Sequence, residues 1–283
     1  MNSNYDEYFD KHNFSRESLK IANQSWFFVG HKNEFKEQFN FIQPWTFEVL
    51  VSNRDDHFRA FLNACPHRGL SFSKEDICED KGQIRCKYHG LKFDCNGNQT
   101  GCFHNEEIKI PFSLQELNLE LCGNFIFISF QNKISLKEYL GDHFYLLQRY
   151  SISIGKNVLK NFQKIDINWK LQMENFLDCL HTLTVHQKNL GKKGFLRLSE
   201  TYKYSFEEYS SGLTSEKGSL SDSELATYQR RTENRKYVSP AFEHIHCFPN
   251  FNIATDLGFY FVCIQLVPQS CKKTLLQMSL YIP

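Results

Sequence analysis

Four side chains able to bind a soft or borderline metal occur in two short runs, Cys65-Pro66-His67-Arg68-Gly69 and Cys86-Lys87-Tyr88-His89-Gly90. Each run offers one thiolate and one imidazole, donors that zinc sites and iron–sulfur sites both use. A Cys-x-His spacing by itself carries little, because Cys102/His104 and Cys179/His181 repeat it. What lifts the first pair is its partner, Cys86-x-x-His89, with a glycine following each histidine and turn-rich sequence on both sides. Glycine lets a loop backbone come close to a bound group. Two Cys and two His offered as matching pairs from two loops suit a sulfide-bridged iron pair, thiolates on one iron and imidazoles on the other. Zinc held by the same four residues stays open, as does zinc held by Cys86, His89, Cys102 and His104.

A second group begins at Asn168-Trp169-Lys170 and runs through Glu174-Asn175-Phe176-Leu177-Asp178 to His181 and His186. Trp169, Met173, Phe176, Leu177 and Leu180 recur near helical spacing, with no Gly or Pro between 169 and 180, so a helix is predicted there. On that helix Asp178 and His181 share a face. His181 and His186 lie five apart, about 140° round a helix, so both reach one ion only if the helix ends between them. The β-branched Thr182, Thr184 and Val185 make such an end plausible.

The paired Cys-x-His and Cys-x-x-His runs with their glycines resemble the motif of the Rieske proteins. The 18 residues from Arg68 to Arg85 between them stand at the long end of that pattern. Respiratory Rieske proteins place an additional cysteine in each loop, where this chain has Leu70 and Lys87-Tyr88, so the likeness is to the ferredoxin and oxygenase branch. With the 168–186 segment, and with Ser25-Trp26-Phe27-Phe28-Val29-Gly30-His31 and Arg59-Ala60-Phe61-Leu62-Asn63, the chain resembles the α subunit of the Rieske non-haem iron oxygenases from Trp26 onward. These are the ring-hydroxylating dioxygenases and the choline- or vanillate-type monooxygenases.

That resemblance implies a Rieske [2Fe-2S] cluster on Cys65, His67, Cys86 and His89. It implies a mononuclear Fe(II) on His181 and His186, two members of a facial triad that leaves positions open for O2. Asp178 is carried over as the residue linking the two centres between subunits of a ring-shaped homotrimer, and Asn175 as a residue near the iron. The implied reaction hydroxylates or demethylates a small organic substrate with O2, using electrons from a reductase or ferredoxin and ultimately from NAD(P)H. The family's third iron ligand is a C-terminal carboxylate beyond a segment seen here as Pro249-Asn250-Phe251, yet Leu257 to Pro283 contains no Asp or Glu. The catalytic domain is therefore expected to be incomplete, and activity of the chain as given is in doubt. Asp256, at a turn before a strand, is not assigned as the missing ligand, and His244 and His246 on one strand face are given a structural role. Two other readings remain: a non-catalytic electron-transfer or binding protein with a disabled second iron site, and a zinc-stabilised interaction module.

The remaining composition sets the frame for these residues. The chain has 283 residues, with 33 Lys plus Arg against 32 Asp plus Glu, a balance that gives no field to attract nucleic acid or an anionic membrane. Its longest apolar stretch, Leu257 to Ile264, is far short of the roughly 20 residues that span a bilayer. The polar, acidic start from Met1 to His12 is unlike a signal peptide, so a cytoplasmic location is predicted and the ten cysteines read as reduced. Cys78, Cys95, Cys122, Cys247, Cys263 and Cys271 are assigned to packing. The pattern predicts an α+β protein with a helical lead-in and first strand over 1–39. A small antiparallel β module with linker follows over 40–150; the resemblance implies that this is the Rieske [2Fe-2S] domain and that 151–283 is a truncated helix-grip, START-like catalytic domain holding the mononuclear iron. Asn96-Gly97 marks a hairpin. Residues 210–236 read as a solvated loop, and strands are predicted over Phe259 to Val267 and Leu275 to Ile282.

Overall fold

The computed structural model describes residues 6–78, 82–102, 112–130, 133–178, 185, 201–216, 227, 230, 237, 239 and 241–283. The chain opens with helices α1 (Asp6–Phe9) and α2 (Lys11–Gln24). Asp10 caps α2, its carboxylate accepting from the His12 and Asn13 amides. Strands β1 (Phe27–His31), β2 (Phe39–Ile42), β3 (Val49–Arg54), β4 (His57–Leu62), β5 (Gln83–Arg85), β6 (Lys92–Asp94), β7 (Gln99–Gly101), β8 (Glu116–Cys122) and β9 (Phe125–Ser129) follow. Helices α3 (Leu136–Leu140) and α4 (His143–Ser153) then lead to β10 (Lys156–Ile165) and α5 (Trp169–Leu177). The last strands are β11 (Thr201–Phe206), β12 (Ser210–Glu216), β13 (Ala241–Cys247), β14 (Phe251–Asp256), β15 (Phe261–Ser270) and β16 (Lys273–Ile282).

These strands form three antiparallel sheets, in the orders β1-β9-β8-β4-β3-β2, β5-β6-β7 and β10-β16-β15-β14-β13-β12-β11. The protein is thus α+β, a β-rich N-terminal half followed by one large meander with helices at its faces. The Asn96-Gly97 hairpin forms between β6 and β7, where the Asp94 carboxylate accepts from the amides of Asn96 and Asn98, both at 2.9 Å. Two expectations are corrected. Ser210–Glu216 is a strand rather than part of a loop, paired along its length with both β11 and β13. Its polar side chains misled because hydrogen bonding to a strand on each side, rather than apolar alternation, holds it in the sheet. The predicted 169–180 helix ends at Leu177, with Asp178 extended at its C-cap (φ −86°, ψ 102°). A carboxylate is poorly placed at the negative end of a helix. The shared-face argument for Asp178 and His181 therefore does not apply.

Three hydrophobic clusters hold the layers together. One lies under the two Cys/His loops and includes Phe39, Leu50, Phe61, Phe72, Ile84 and Phe93. The second joins β1, β3, β4 and β9 to α5 through Trp45, Trp169 and Met173 and to β15 through Leu266. The third packs Trp26, Phe28 and Phe125 with α3, α4 and the large sheet. Phe28 stacks on Phe251 across the junction, ring centroids 3.8 Å apart. Among the described residues no helix is long and apolar enough to cross a membrane.

Candidate metal centre and adjoining cavity

The two Cys/His runs fold into matched loops. In the first, the Cys65 amide donates to the Leu70 carbonyl at 2.8 Å and the Gly69 amide to the Cys65 carbonyl at 2.7 Å. In the second, the Cys86 amide donates to the Leu91 carbonyl at 2.8 Å and the Gly90 amide to the Cys86 carbonyl at 2.8 Å. Gly69 and Gly90 close these turns at φ +72° and +70°, a region that side-chain-bearing residues seldom occupy. The same backbone device, used twice, sets the loops facing each other.

Their donors sort by depth. Cys65 and Cys86 are each 2% exposed, whereas His67 and His89 are exposed at the tip. The two imidazoles turn Nδ1 toward Nδ1 at 3.0 Å, with ring centroids 4.5 Å apart. Burial pushes the Cys65 thiol up, and the neighbouring Cys86 sulfur adds in the same direction. Two imidazoles bound at about 2.1 Å with an angle of about 90° would place their nitrogens about 3.0 Å apart, so this pair fits one metal atom. The paired thiols below fit a second. Among the described residues no three or more His, Cys, Asp or Glu converge on a single ion position, as one zinc would need. Grouping two and two suits a diiron cluster. Of the alternative zinc set, His104 lies outside the described residues, and Cys102 is half-buried against the core beneath the loops.

Sequence reasoning passed over the aromatic residues beside these imidazoles. The Tyr88 ring lies on His89 at 4.1 Å between centroids, and Phe112 lies 5.7 Å from His67. Tyr88 sits inside the motif and was visible there; Phe112 reaches the site only through the fold.

The second group is positioned by α5. Asn168 caps it, its Oδ1 accepting from the Lys170 amide at 2.9 Å while its Nδ2 donates to the carbonyls of Tyr8 at 2.6 Å and Cys271 at 2.9 Å. Trp169 and Met173 are buried, so the opposite face presents Glu174 and Asn175 outward, and Asp178 is exposed just past the helix end. His181 and His186 lie outside the described residues. The metal-loop residues and Asn175 with Asp178 stand on separate elements, and the described residues do not join them within one chain. Asp256, at the end of β14, is buried.

Next to the end of α5, a cavity of about 310 Å³ opens between Phe176, Leu177 and the β11–β13 face, where Leu213, His244, His246 and Phe248 line it. The Phe176 ring lies 6.5 Å from His244. Burial pushes both imidazoles down to about 4, so they are neutral at pH 7. The His246 Nδ1 faces the Asn252 Oδ1 at 3.1 Å.

Comparison with known proteins agrees with this layout. The model for the Rieske [2Fe-2S] domain matches residues 25–111, and that for the ring hydroxylating alpha subunit catalytic domain matches 145–283. The 2-aminobenzenesulfonate 2,3-dioxygenase subunit alpha of Alcaligenes sp is 27% identical over 290 residues, covering 95% of this chain and 71% of that protein. The carnitine monooxygenase oxygenase subunit of Acinetobacter pittii is 28% identical over 186 residues, covering 61% of this chain and 49% of that one. A naphthalene 1,2-dioxygenase structure superposes with a TM-score of 0.77 at 22% identity, over 97% of this chain and 70% of that chain, a likeness of fold. The chain spans 49% of the carnitine monooxygenase subunit, 43% of a naphthalene 1,2-dioxygenase large oxygenase component and 40% of a benzene 1,2-dioxygenase subunit alpha that it also matches. With an N-terminal Rieske domain joined to a ring-hydroxylating catalytic domain, the chain belongs to the Rieske oxygenase α subunits, oxidoreductases whose cofactors are a [2Fe-2S] cluster and a mononuclear iron.

Proposed function

We propose that the chain is the terminal oxygenase component of a multicomponent system that hydroxylates or demethylates a small organic substrate. The observation that carries this reading is the pair of matched loops with buried thiols and facing Nδ1 atoms, followed by the Asn175–Asp178 segment at the end of a capped helix. Cys65 and Cys86 hold one iron of the Rieske cluster and His67 and His89 the other; His181 and His186 hold the mononuclear iron. When bound, the cluster supplies single electrons and the mononuclear Fe(II) supplies open positions for O2. The chain's residues set where this happens. The buried cysteines keep solvent from the sulfur side, and the exposed imidazoles bring the other side to the surface, where electrons can leave toward a neighbour. Asp178, exposed past α5, would accept hydrogen bonds from His181 and from a cluster histidine of an adjacent subunit and so orient both rings. Asn175, one turn earlier, stands near the iron. This arrangement calls for a homotrimer and for a reductase or ferredoxin that draws on NAD(P)H.

Metal and acid-labile sulfide analysis tests the reading. The expected result is close to three irons per chain with sulfide, and a His89→Ala protein that loses the visible colour and the spin signal of the reduced cluster. Zinc in place of iron, or a His89→Ala variant that keeps both signals, overturns it.

A further inference from the structure

We propose that Ser205 is a nucleophile, with His143 as its general base, and that it takes up the acyl group of a small activated ester. This goes beyond the oxygenase reading and does not depend on it. A chain of hydrogen bonds leads to Ser205. The Ser210 hydroxyl, at the start of β12, donates to the Leu140 carbonyl at 2.9 Å and has only one proton to give. Its oxygen, 2.7 Å from the His143 Nδ1, therefore accepts there, and that nitrogen carries the ring's proton. His143, in the first turn of α4, is 5% exposed, and burial lowers its pKa, so the ring is neutral at pH 7. Its Nε2 is left as an acceptor, and the Ser205 hydroxyl on β11 donates to it at 2.7 Å. A hydroxyl within reach of a base whose other nitrogen is held by a third group is the arrangement that activates serine.

The surroundings suit that role. Ser205 lies directly opposite Gly212 in the β11–β12 ladder. A Cβ at Gly212 would lie 2.5 Å from the Ser205 Oγ and 2.7 Å from the His143 Nε2, so the pair occupies room that any other residue would fill. Ser205 is exposed, on a strand that ends the large sheet among the described residues, so an ester reaches it from solvent. Neither Ser205 nor His143 lines the cavity beside α5; Tyr204 and Phe206, which do, project from the other face of β11. In the step, the Ser205 Oγ bonds to the ester's carbonyl carbon and the Ser205 proton passes to the His143 Nε2. The bond from that carbon to the leaving oxygen breaks, and the leaving group departs with the electron pair. His143 becomes an imidazolium, a charge that the carboxylates of Glu207 and Asp142 favour. Glu207 is held there by accepting from the Asp142 amide at 3.3 Å.

The test treats the full, cluster-loaded chain with p-nitrophenyl acetate and follows acetylation of each serine by peptide mass spectrometry. Ser205 is expected to be acetylated about a hundredfold faster than any other serine of the chain, the scale of general-base assistance. His143→Gln should bring Ser205 down to the rate of the others while circular dichroism stays unchanged. Should that variant fail to fold, Gly212→Ala takes its place: the backbone there is one that alanine adopts, and the added methyl pushes the Ser205 hydroxyl off the imidazole. Acetylation of wild-type Ser205 no faster than that of the other serines overturns the proposal, and this needs no variant. Fast acetylation that persists in the variant overturns it as well, because the base is then not His143. Iron and sulfide content of the same preparation reports on the oxygenase reading separately.

Discussion

Neighbours, not depth, distinguish the buried cysteines of this chain. Burial pushes the thiols of Cys122, Cys247 and Cys263 well up, so they stay protonated and act as small apolar side chains in the core around α3, α4 and the large sheet. Cys65 and Cys86 are equally buried, but each lies at the base of a loop whose imidazole reaches the surface, and their sulfurs adjoin. Metal binding there must displace protons, so loading of the centre is expected to fall in acid. Asp178 belongs to the same scale. Replacing it by Asn keeps the shape of the side chain and removes the charge that would orient two rings. Asp178→Asn should leave iron content unchanged and slow reoxidation of the reduced cluster, followed by stopped-flow absorbance, by a factor of about ten or more. Unchanged reoxidation would count against the bridge.

At the scale of elements, α5 is the piece on which the second group depends, and it is short. Nine residues form too few intrahelical bonds to stand alone, so the helix relies on its cap and on the burial of Trp169 and Met173. Asn168 serves three roles with one side chain: it caps α5, and it ties that helix to the carbonyls of Tyr8 before α2 and Cys271 after β15. Asn168→Ala should lower stability by about 2–3 kcal/mol, read from urea unfolding, because two carbonyls lose a partner along with the cap. A change under about 0.5 kcal/mol would show that water replaces these bonds freely. The regular apolar spacing located the helix, but not its end. Periodicity continues through Leu180, whereas the backbone leaves the helix at Asp178, whose amide still donates to the Glu174 carbonyl.

At the scale of the whole molecule, the two halves are joined by a buried polar staple within an aromatic seam. Asn250, just before β14, accepts from the Phe28 amide at 3.1 Å and donates to the carbonyls of Phe28 at 3.1 Å and Pro44 at 2.9 Å. Gln265 on β15 donates to the same Phe28 carbonyl at 2.8 Å. These bonds fall where β1 is irregular against β9, between Phe28 and Gly30, so side chains of the large sheet stand in for part of the strand ladder. A second tie joins Lys160 on β10 to Glu34 at 2.5 Å. Asn250→Leu fills a similar volume but leaves the Phe28 amide unpaired in the seam. It should cost about 3 kcal/mol and lower the temperature at which the N-terminal half separates from the sheet, seen as a split or broadened calorimetric transition. A single transition at the wild-type temperature would mean that the aromatic contacts alone hold the halves.

The sequence by itself singled out the first site as a thiolate–imidazole metal site, because its four donors lie in two local runs whose glycines dictate the turns around them. It also determined the last two strands, whose apolar residues recur at strand spacing, and the start of α5 at Trp169. Tertiary structure alone brought the two imidazoles face to face, since their Nδ1 atoms come from loops 22 residues apart in the chain. It decided that a polar stretch at 210–216 is a strand, because pairing with both neighbours outweighs composition. It also gathered His244, His246 and Phe176 at one cavity. Side chains on a strand and on a distant helix carry no local signal of meeting; only the packing of α5 on the sheet brings them together.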